Sequence, residues 1–394
     1  MSDILVNTTT AGIQHQPAVA DFRGTHYLVA WADRRDLTVK GQVLQADGQR
    51  SGAEFVVNSP QPAQANTDRL RPAATGTGSG PVVVWIEAAV NPPGPRPQVK
   101  MQRFDLDGHK AGPEIQVSTD DVAADQQPDV IGSIDGGCVV VWADQRRDSR
   151  IRAQRFGPDG VRKGAEFTVN TTEGFHESPI ATRISGNQVV AWRSDPSPPG
   201  GGALTFRILD FEGAPVTDEI RADISGFHGP KAMAVLDDGR FVLAHSRNVG
   251  ESPIGVTRSV VEARVFTAEG ADANVIVSAT DADGIQSSAP VLVGLPGRRF
   301  LLAWLQRSAE TVHTVTSVRA KVFSTLQGSV GAEAEASNST ATDRFQLAGA
   351  AAFGGGDGAG VLLAWADEGG ADGDPSDFAV RARAFQVVAP GTLV

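Results

Sequence analysis

One short pattern recurs seven times along the chain, a run of apolar residues that ends in tryptophan. It reads LVAW at 28–31, VVVW at 82–85 and 139–142, VVAW at 189–192, and LLAW at 301–304 and 362–365. VLAH at 242–245 completes the set, with His245 where the other copies carry Trp. All six tryptophans of the protein occupy this slot, and successive anchors lie 54, 57, 50, 53, 59 and 61 residues apart. A repeat of that length is one supersecondary unit that cannot bury its own apolar face, so neighbouring copies must stack.

Each copy reads as four short strands. The first opens on proline, at Pro17, Pro72, Pro128, Pro179, Pro230 and Pro290, with Ala350-Ala351-Ala352 in the seventh copy. A short turn leads to the Trp strand. The third strand alternates apolar and polar residues, as in Ile151-Arg152-Ala153-Gln154-Arg155-Phe156, which is the period of a strand with two different faces. Turns such as Asp47-Gly48, Asp107-Gly108 and Asp159-Gly160 follow. Asp-Gly supplies the positive φ that a tight hairpin needs. A fourth strand ends the unit, at 54–58, 114–118 and 166–170 in the first three copies.

No segment keeps a helical period. The expectation is therefore an all-β, seven-bladed β-propeller with four antiparallel strands per blade. A sandwich does not predict seven copies, and a solenoid needs polar caps that the end copies lack. The blades fall at about 15–58, 70–118, 126–170, 177–223, 228–278, 288–337 and 346–386, within a single domain of 1–394. The seventh copy stops after its third strand. Residues 3–7, Asp-Ile-Leu-Val-Asn, match the fourth strands Glu-Phe-Val-Val-Asn and Glu-Phe-Thr-Val-Asn. The N-terminal segment should complete blade 7, close the ring and cover an otherwise open edge. The units resemble a degenerate repeat common in large bacterial secreted and surface proteins, of the form P-x-V-A … G-x-F-V-V-A-W … I-x-A-Q-R-F-D-x-D-G. The likeness covers nearly the whole chain and is weakest in the fifth copy. It implies a propeller and little chemistry, because such propellers serve as lectins, scaffolds and enzymes.

A formal net charge of −11 argues against nucleic acid or an anionic membrane as partner. Arg nevertheless accounts for 29 of the 35 basic residues, and its fork of donors suits carboxylate, phosphate or sulfate. Cys138, the only cysteine, sits in an apolar strand and reads as an inert buried thiol. The N-terminus shows no signal peptide and no segment is apolar enough to span a membrane. The expectation is a cytoplasmic protein without membrane insertion, with signal-independent secretion as the alternative.

In a four-stranded blade the A–B and C–D turns share one face, and the B–C loops and D–A crossings share the other. Here the turns are short and the B–C loops vary widely, for example 32–38, 86–98 and 246–260. Recognition and chemistry are therefore expected on the B–C face. The crossings there carry His15, Arg69, Arg71, Asp125, Gln127, His176, Glu177, His228, Gln286 and Arg344. His15, His176 and His228 are the candidate acid–base groups. Arg34, Arg69, Arg71, Gln127, Arg146, Glu177 and Arg344 are the candidate ligand-binding residues. The loop sequences Asp33-Arg34-Arg35-Asp36 and Asp144-Gln145-Arg146-Arg147-Asp148 read first as self-paired turns or bridges to the adjacent blade, and second as guanidinium groups offered to an anionic partner. No metal-ligand spacing, phosphate loop, nucleotide fingerprint or nucleophile elbow occurs, so no metal or cofactor is expected.

Two functions fit. One is a recognition protein that takes a glycan, an anionic small molecule or a protein on the B–C face. The other is an enzyme working over the channel, such as a polysaccharide lyase or a small-molecule biosynthetic enzyme. A lyase needs a base for the proton α to a uronate carboxylate, and cations for the enolate.

Overall fold

The computed structural model describes residues 3–60, 67–89, 96–124, 126–144, 149–195, 202–222, 227–251, 257–279, 285–308, 316–337, 344–349, 359–367, 378–388 and 391–393. The chain divides into two compact units, one of Gly12–Gln45 and Arg50–Asp223, the other of Met1–Ala11, Ala46–Gln49 and Ile224–Val394. Both are all-β, and no helix among the described residues is long and apolar enough to cross a membrane.

The first unit is four antiparallel meanders of four strands each. Sheet 1 runs Gln14–Phe22, His26–Asp33, Thr38–Gln45, Arg50–Val56. Sheet 2 runs Thr67–Thr77, Gly80–Ala89, Gln98–Arg103, Ile115–Gln116. Sheet 3 runs Asp129–Gly132, Cys138–Ala143, Ile151–Phe156, Arg162–Thr168. Sheet 4 runs Phe175–Ile184, Asn187–Asp195, Ala203–Leu209, Ile220–Ala222.

In the second unit the fifth and sixth repeats share a nine-stranded sheet. It contains Phe227–Val235, Phe241–Glu251, Thr257–Phe266 and Asp272–Ala279, then Ile285–Leu295, Arg299–Ser308 and Thr316–Ser324 with two short edge pieces. One parallel bridge, Ser259 to Gln286, joins the two halves. The last sheet holds Arg344–Gly349, Ala359–Asp367 and Ala379–Val388. Ile4–Leu5 lies antiparallel to Ala379–Val388, with Ile4 opposite Ala382 and Leu5 opposite Arg381.

Stacked sheets of this kind, related as propeller blades are, follow from the Trp strand. Its residues are apolar on both faces because both faces are covered. Trp31, Trp85, Trp142, Trp192, Trp304 and Trp365 are at most 2% exposed. Trp85 packs among Phe22, Leu28, Val39 and Val57 of the preceding sheet. Trp142 packs among Val84, Ile86 and Val99, and Trp192 among Val139, Val141 and Ile151. In the second unit Trp304 meets Val242 and Val261, and Trp365 meets Leu301 and Val318. Within each unit the indole is thus the tooth by which these sheets engage the preceding one.

Opposite the Trp slot, the third strand carries Lys40, Lys100, Arg152, Thr205, Arg319 and Arg381. The cations are paired, as in Lys40–Asp33 at 2.9 Å, Arg152–Glu166 at 2.8 Å and Arg381–Asp367 at 2.8 Å. In the fifth repeat both positions change together: His245, 0% exposed, fills the slot and Glu262 faces it. Glu262 is held by Arg247 and Arg264, each at 3.2 Å. The sign of the charge inverts where the indole is lost.

A further repeated bond fixes the strand ends. Asn58 Oδ1 accepts from Val39 N–H at 2.9 Å, Asn170 Oδ1 from Ile151 N–H at 2.8 Å, and Ser118 and Ser337 hydroxyls from Val99 and Val318 N–H at 3.1 Å. Asn7 Oδ1 accepts from Val380 N–H at 2.9 Å in the same manner. Residues 3–7 therefore act as the fourth strand of the last sheet.

The two ends of the first strands differ. At the turn end they run backbone to backbone: a Cβ on Gly76 would lie 1.9 Å from Asp21 O, and one on Gly132 would lie 2.6 Å from Gly76 O. At the opposite end the first strands of sheets 1, 2 and 4 bulge just before their prolines. Register slips between His15 and Ala18, Leu70 and Ala73, and Glu177 and Ile180. Gln16, Arg71 and Ser178, the residues before proline, have φ of 55°, 57° and 51°. An extra residue in a strand leaves a backbone donor without a ladder partner, and proline has none to lose.

Trp142→Ala should cost roughly 3–5 kcal/mol, the range for emptying an aromatic core site, measured by urea unfolding. Asn7→Ala should cost about 1–2 kcal/mol by leaving the Val380 N–H unpaired, and deletion of residues 1–8 more. Unchanged melting of the deleted chain would contradict the role given to the N-terminal strand.

Candidate functional site

The bulges gather the sequence candidates of the first unit at one end of its first strands. A ladder of side-chain bonds runs between them. Gln16 Oε1 accepts from Arg71 N–H at 2.7 Å, and Gln127 Nε2 donates to Pro72 O at 3.0 Å. Gln126 Nε2 donates to Glu177 Oε2 at 3.2 Å and Gln126 Oε1 accepts from Ser178 Oγ at 2.6 Å. Each bulge is thereby tied to the next, which holds three non-glycine residues in the left-handed region at a cost of about 1–2 kcal/mol each. Gln127 spends its amide on this ladder. Glu177 also pairs with Arg193.

The three histidines separate. His176 is buried, and both ring nitrogens are engaged: Nδ1 accepts from Trp192 Nε1–H at 3.1 Å, which leaves Nε2–H to donate to Thr172 O at 3.0 Å. Burial first, with the Arg150 charge opposing the Thr172 carbonyl and Glu219, lowers its pKa. This ring serves as the acceptor for an indole; the Nε1–H groups of Trp31, Trp85, Trp304 and Trp365 are buried with none.

His15 is different. Its side chain is 5% exposed, and its Nε2 is enclosed without a hydrogen-bond partner. Burial, then the positive charges of Arg34 and Arg71, hold its pKa down at about 4. At neutral pH it is an uncharged imidazole among cations, a base kept without its proton. His228 lies in Phe227–Val235 and Arg344 in Arg344–Gly349; the side chains of both, and Arg146 altogether, fall outside the described residues.

Around His15 the arginines take distinct roles. Arg69 is 3% exposed and fully committed, donating to Leu37 O at 3.0 Å and pairing with Glu87 at 3.0 Å. It fixes the loop that carries Arg34. That loop is shaped by Asp33, whose Oδ1 accepts from Arg35 N–H at 2.9 Å and Asp36 N–H at 3.2 Å while Oδ2 meets Lys40. Asp36 also pairs with Lys40, at 3.0 Å. The carboxylates of Asp33-Arg34-Arg35-Asp36 thus serve the turn and the strand beneath. The Arg34 guanidinium, exposed, makes no ion pair or hydrogen bond among the described residues. Asp68, which the sequence did not single out, is half-buried beside this corner. Its pKa is raised by burial against the Arg69 N–H bond and the charges of Arg34 and Arg69. Only its burial marks it, and burial is not written in the local sequence.

Among the described residues, Asp105, Asp107 and His109 have ligand atoms within 4.8 Å of one another. Asp105 Oδ1 accepts from the N–H groups of Asp107 and His109, both at 2.9 Å, and Asp107 pairs with Arg23. Asp210 makes the same pair of turn bonds, to Glu212 and Ala214. These carboxylates build hairpins. Cys138 is buried, and burial pushes its thiol up to about 12.

No protein-family model matches the sequence, and no curated protein sequence matches it. Solved structures do share its fold. A protein of unknown function from Dyadobacter fermentans aligns with a TM-score of 0.55 at 13% identity, covering 81% of this chain and 97% of that one. An α-L-arabinanase of Penicillium chrysogenum aligns at 0.52 and 12% identity, covering 83% and 96%. The polysaccharide lyase Uly1 aligns at 0.51 and 11% identity, covering 96% and 91%. At these identities the likeness is one of fold.

The depressed histidines give a pH dependence with a definite sign. Burial chiefly sets His245, like His15, at about 4 instead of 6.5. Their contribution to stability is complete above 6.5 and is lost as pH falls from there through about 4. His15→Gln should remove part of the fall in urea midpoint across that window. A midpoint profile identical to the unsubstituted protein would show that the ring is not held neutral by the fold.

Proposed function

We propose that the seven repeats form one seven-bladed propeller over residues 1–394, closed by residues 3–7, and that its B–C loop face acts on an acidic carbohydrate. The observation that carries this reading is His15: a neutral imidazole whose Nε2 has no hydrogen-bond partner, beside the strained Arg71 and an Arg34 without an ion pair among the described residues. Folds of this kind in an arabinanase and a polysaccharide lyase support a carbohydrate as the substrate class. By sequence alone, Arg146, His228 and Arg344 belong to the same candidate set in the third, fifth and seventh repeats.

The chemistry that suits this corner is β-elimination on a uronate. The sugar carboxylate pairs with Arg34 and Arg71. Neutralising those two charges removes part of what holds His15 down, so ligand binding itself strengthens the base. The His15 lone pair takes the proton on the carbon α to the carboxylate. The electron pair moves into an enolate that the guanidinium groups stabilise. The C–O bond to the leaving sugar then breaks, a C=C bond forms, and the departing oxygen takes a proton from water. The hydroxide left behind takes the proton from His15, which restores the base.

Polygalacturonate, alginate and glycosaminoglycans should be screened for the ultraviolet absorbance of a carboxylate-conjugated C=C bond. Turnover is expected on one of them, with His15→Ala slower by roughly 10²–10⁴-fold and Arg34→Ala impaired in both kcat and KM. Binding without new unsaturation would overturn the elimination and leave a recognition protein. Full activity in His15→Ala would overturn the site.

A further inference from the structure

The first strand of sheet 4 begins with Phe175, which is 49% exposed and is the one aromatic among the exposed large hydrophobic residues described. Most of the others lie in turns, such as Leu106, Ile134, Val161, Val216 and Leu326. Phe175 instead stands at the bulged end of its strand, the end that carries the His15 corner in sheet 1.

Its position is fixed. Ser149 Oγ donates to His176 O and accepts from His176 N–H, both at 2.7 Å, which clamps the end of the sheet 3 loop to the Phe175–His176 step. The next residue is Arg150. Its backbone is held on both sides, N–H to Asp144 Oδ1 at 2.8 Å and carbonyl from Asp144 N–H at 3.0 Å. Its guanidinium makes no ion pair or hydrogen bond among the described residues. Two described carboxylates of sheet 4 are spent elsewhere. Glu219 is taken by the backbone and hydroxyls of Thr171 and Thr172, and Glu177 by Arg193 and Gln126. A rigidly placed aromatic face and an unspent cation thus stand on either side of one clamp.

We propose that Phe175 and Arg150 form a second subsite, in which the apolar face of a uronate ring lies on Phe175 and its carboxylate pairs with Arg150. A sugar's C–H face is attracted to the negative face of an aromatic ring, and a guanidinium takes a carboxylate through paired hydrogen bonds. With the His15 corner in the same unit, the protein takes an acidic polysaccharide chain, not a single acidic sugar. This inference rests on the acidic-carbohydrate reading above.

The test is affinity electrophoresis of the full chain in gels cast with polygalacturonate, with dextran as the uncharged control. The chain should be retarded by polygalacturonate and not by dextran. Phe175→Ala and Arg150→Ala should each weaken the retardation roughly tenfold, and Phe175→Trp should preserve it. Both substituted residues are surface groups, and far-ultraviolet circular dichroism controls for folding. Polymer binding unaltered in both variants would overturn the subsite while leaving the His15 site standing. A wild-type chain that ignores polygalacturonate would overturn this assignment. Loss of turnover in His15→Ala, with polymer retardation intact, separates the two sites.

Discussion

Everything else in this molecule depends on the burial of one indole in six of the seven repeats. A lone four-stranded sheet exposes two apolar faces and is unstable in water. Inserting Trp85 into the side chains of sheet 1, or Trp365 into those of the sixth repeat, gives each sheet a partner and fixes the distance between them. The second strand can then be apolar throughout, as in Cys138–Ala143, where every residue is buried. Polar atoms follow the same order. The cation across from the indole is paired, and the fifth repeat, lacking the indole, shows the arrangement in reverse with Glu262 against His245.

Close packing at one end of the first strands sets the conditions at the other. Where Gly76 and Asp21 meet backbone to backbone there is no room for side chains. The bulges at Gln16, Arg71 and Ser178 release that constraint and turn side chains out of the ladder. Left-handed non-glycine residues are costly, and they persist here because the Gln16–Arg71 and Gln126–Ser178 bonds over-determine them. Strain maintained by a dedicated bond network is a common mark of a functional end. The neutral His15 ring sits at that end, in sheet 1, among cations with no partner of its own.

The repeat, the strand order in the four sheets of the first unit and the pairing of residues 3–7 were legible because they follow from period-two alternation and from a side chain repeated at fixed offset; the joining of the fifth and sixth repeats into one nine-stranded sheet was not. Asn7 could be matched to Asn58 and Asn170 by eye, and it makes their bond. The candidate site was legible only as a set. His15 and His176 looked equivalent, yet one stands two residues before its proline and the other three. In a strand that single step changes the face. His176 therefore meets Trp192, and His15 meets Arg34 and Arg71. Arg69 and Gln127 looked like ligand groups and are spent on Leu37, Glu87 and Pro72, partners more than thirty residues away in Leu37 and fifty-five in Pro72. Long-range pairing of that kind leaves no trace in local spacing. Phe175 and Ser149 escaped notice for the same reason, since exposure and a clamp across sheets are properties of the assembled strands.

The proposed site is tested most directly by a crystal structure of the protein soaked with a short oligogalacturonate. A sugar carboxylate is expected between the Arg34 and Arg71 guanidinium groups, with the carbon that bears it facing the His15 ring. Sugar density elsewhere, or a His15 ring already hydrogen-bonded within the protein, would contradict it.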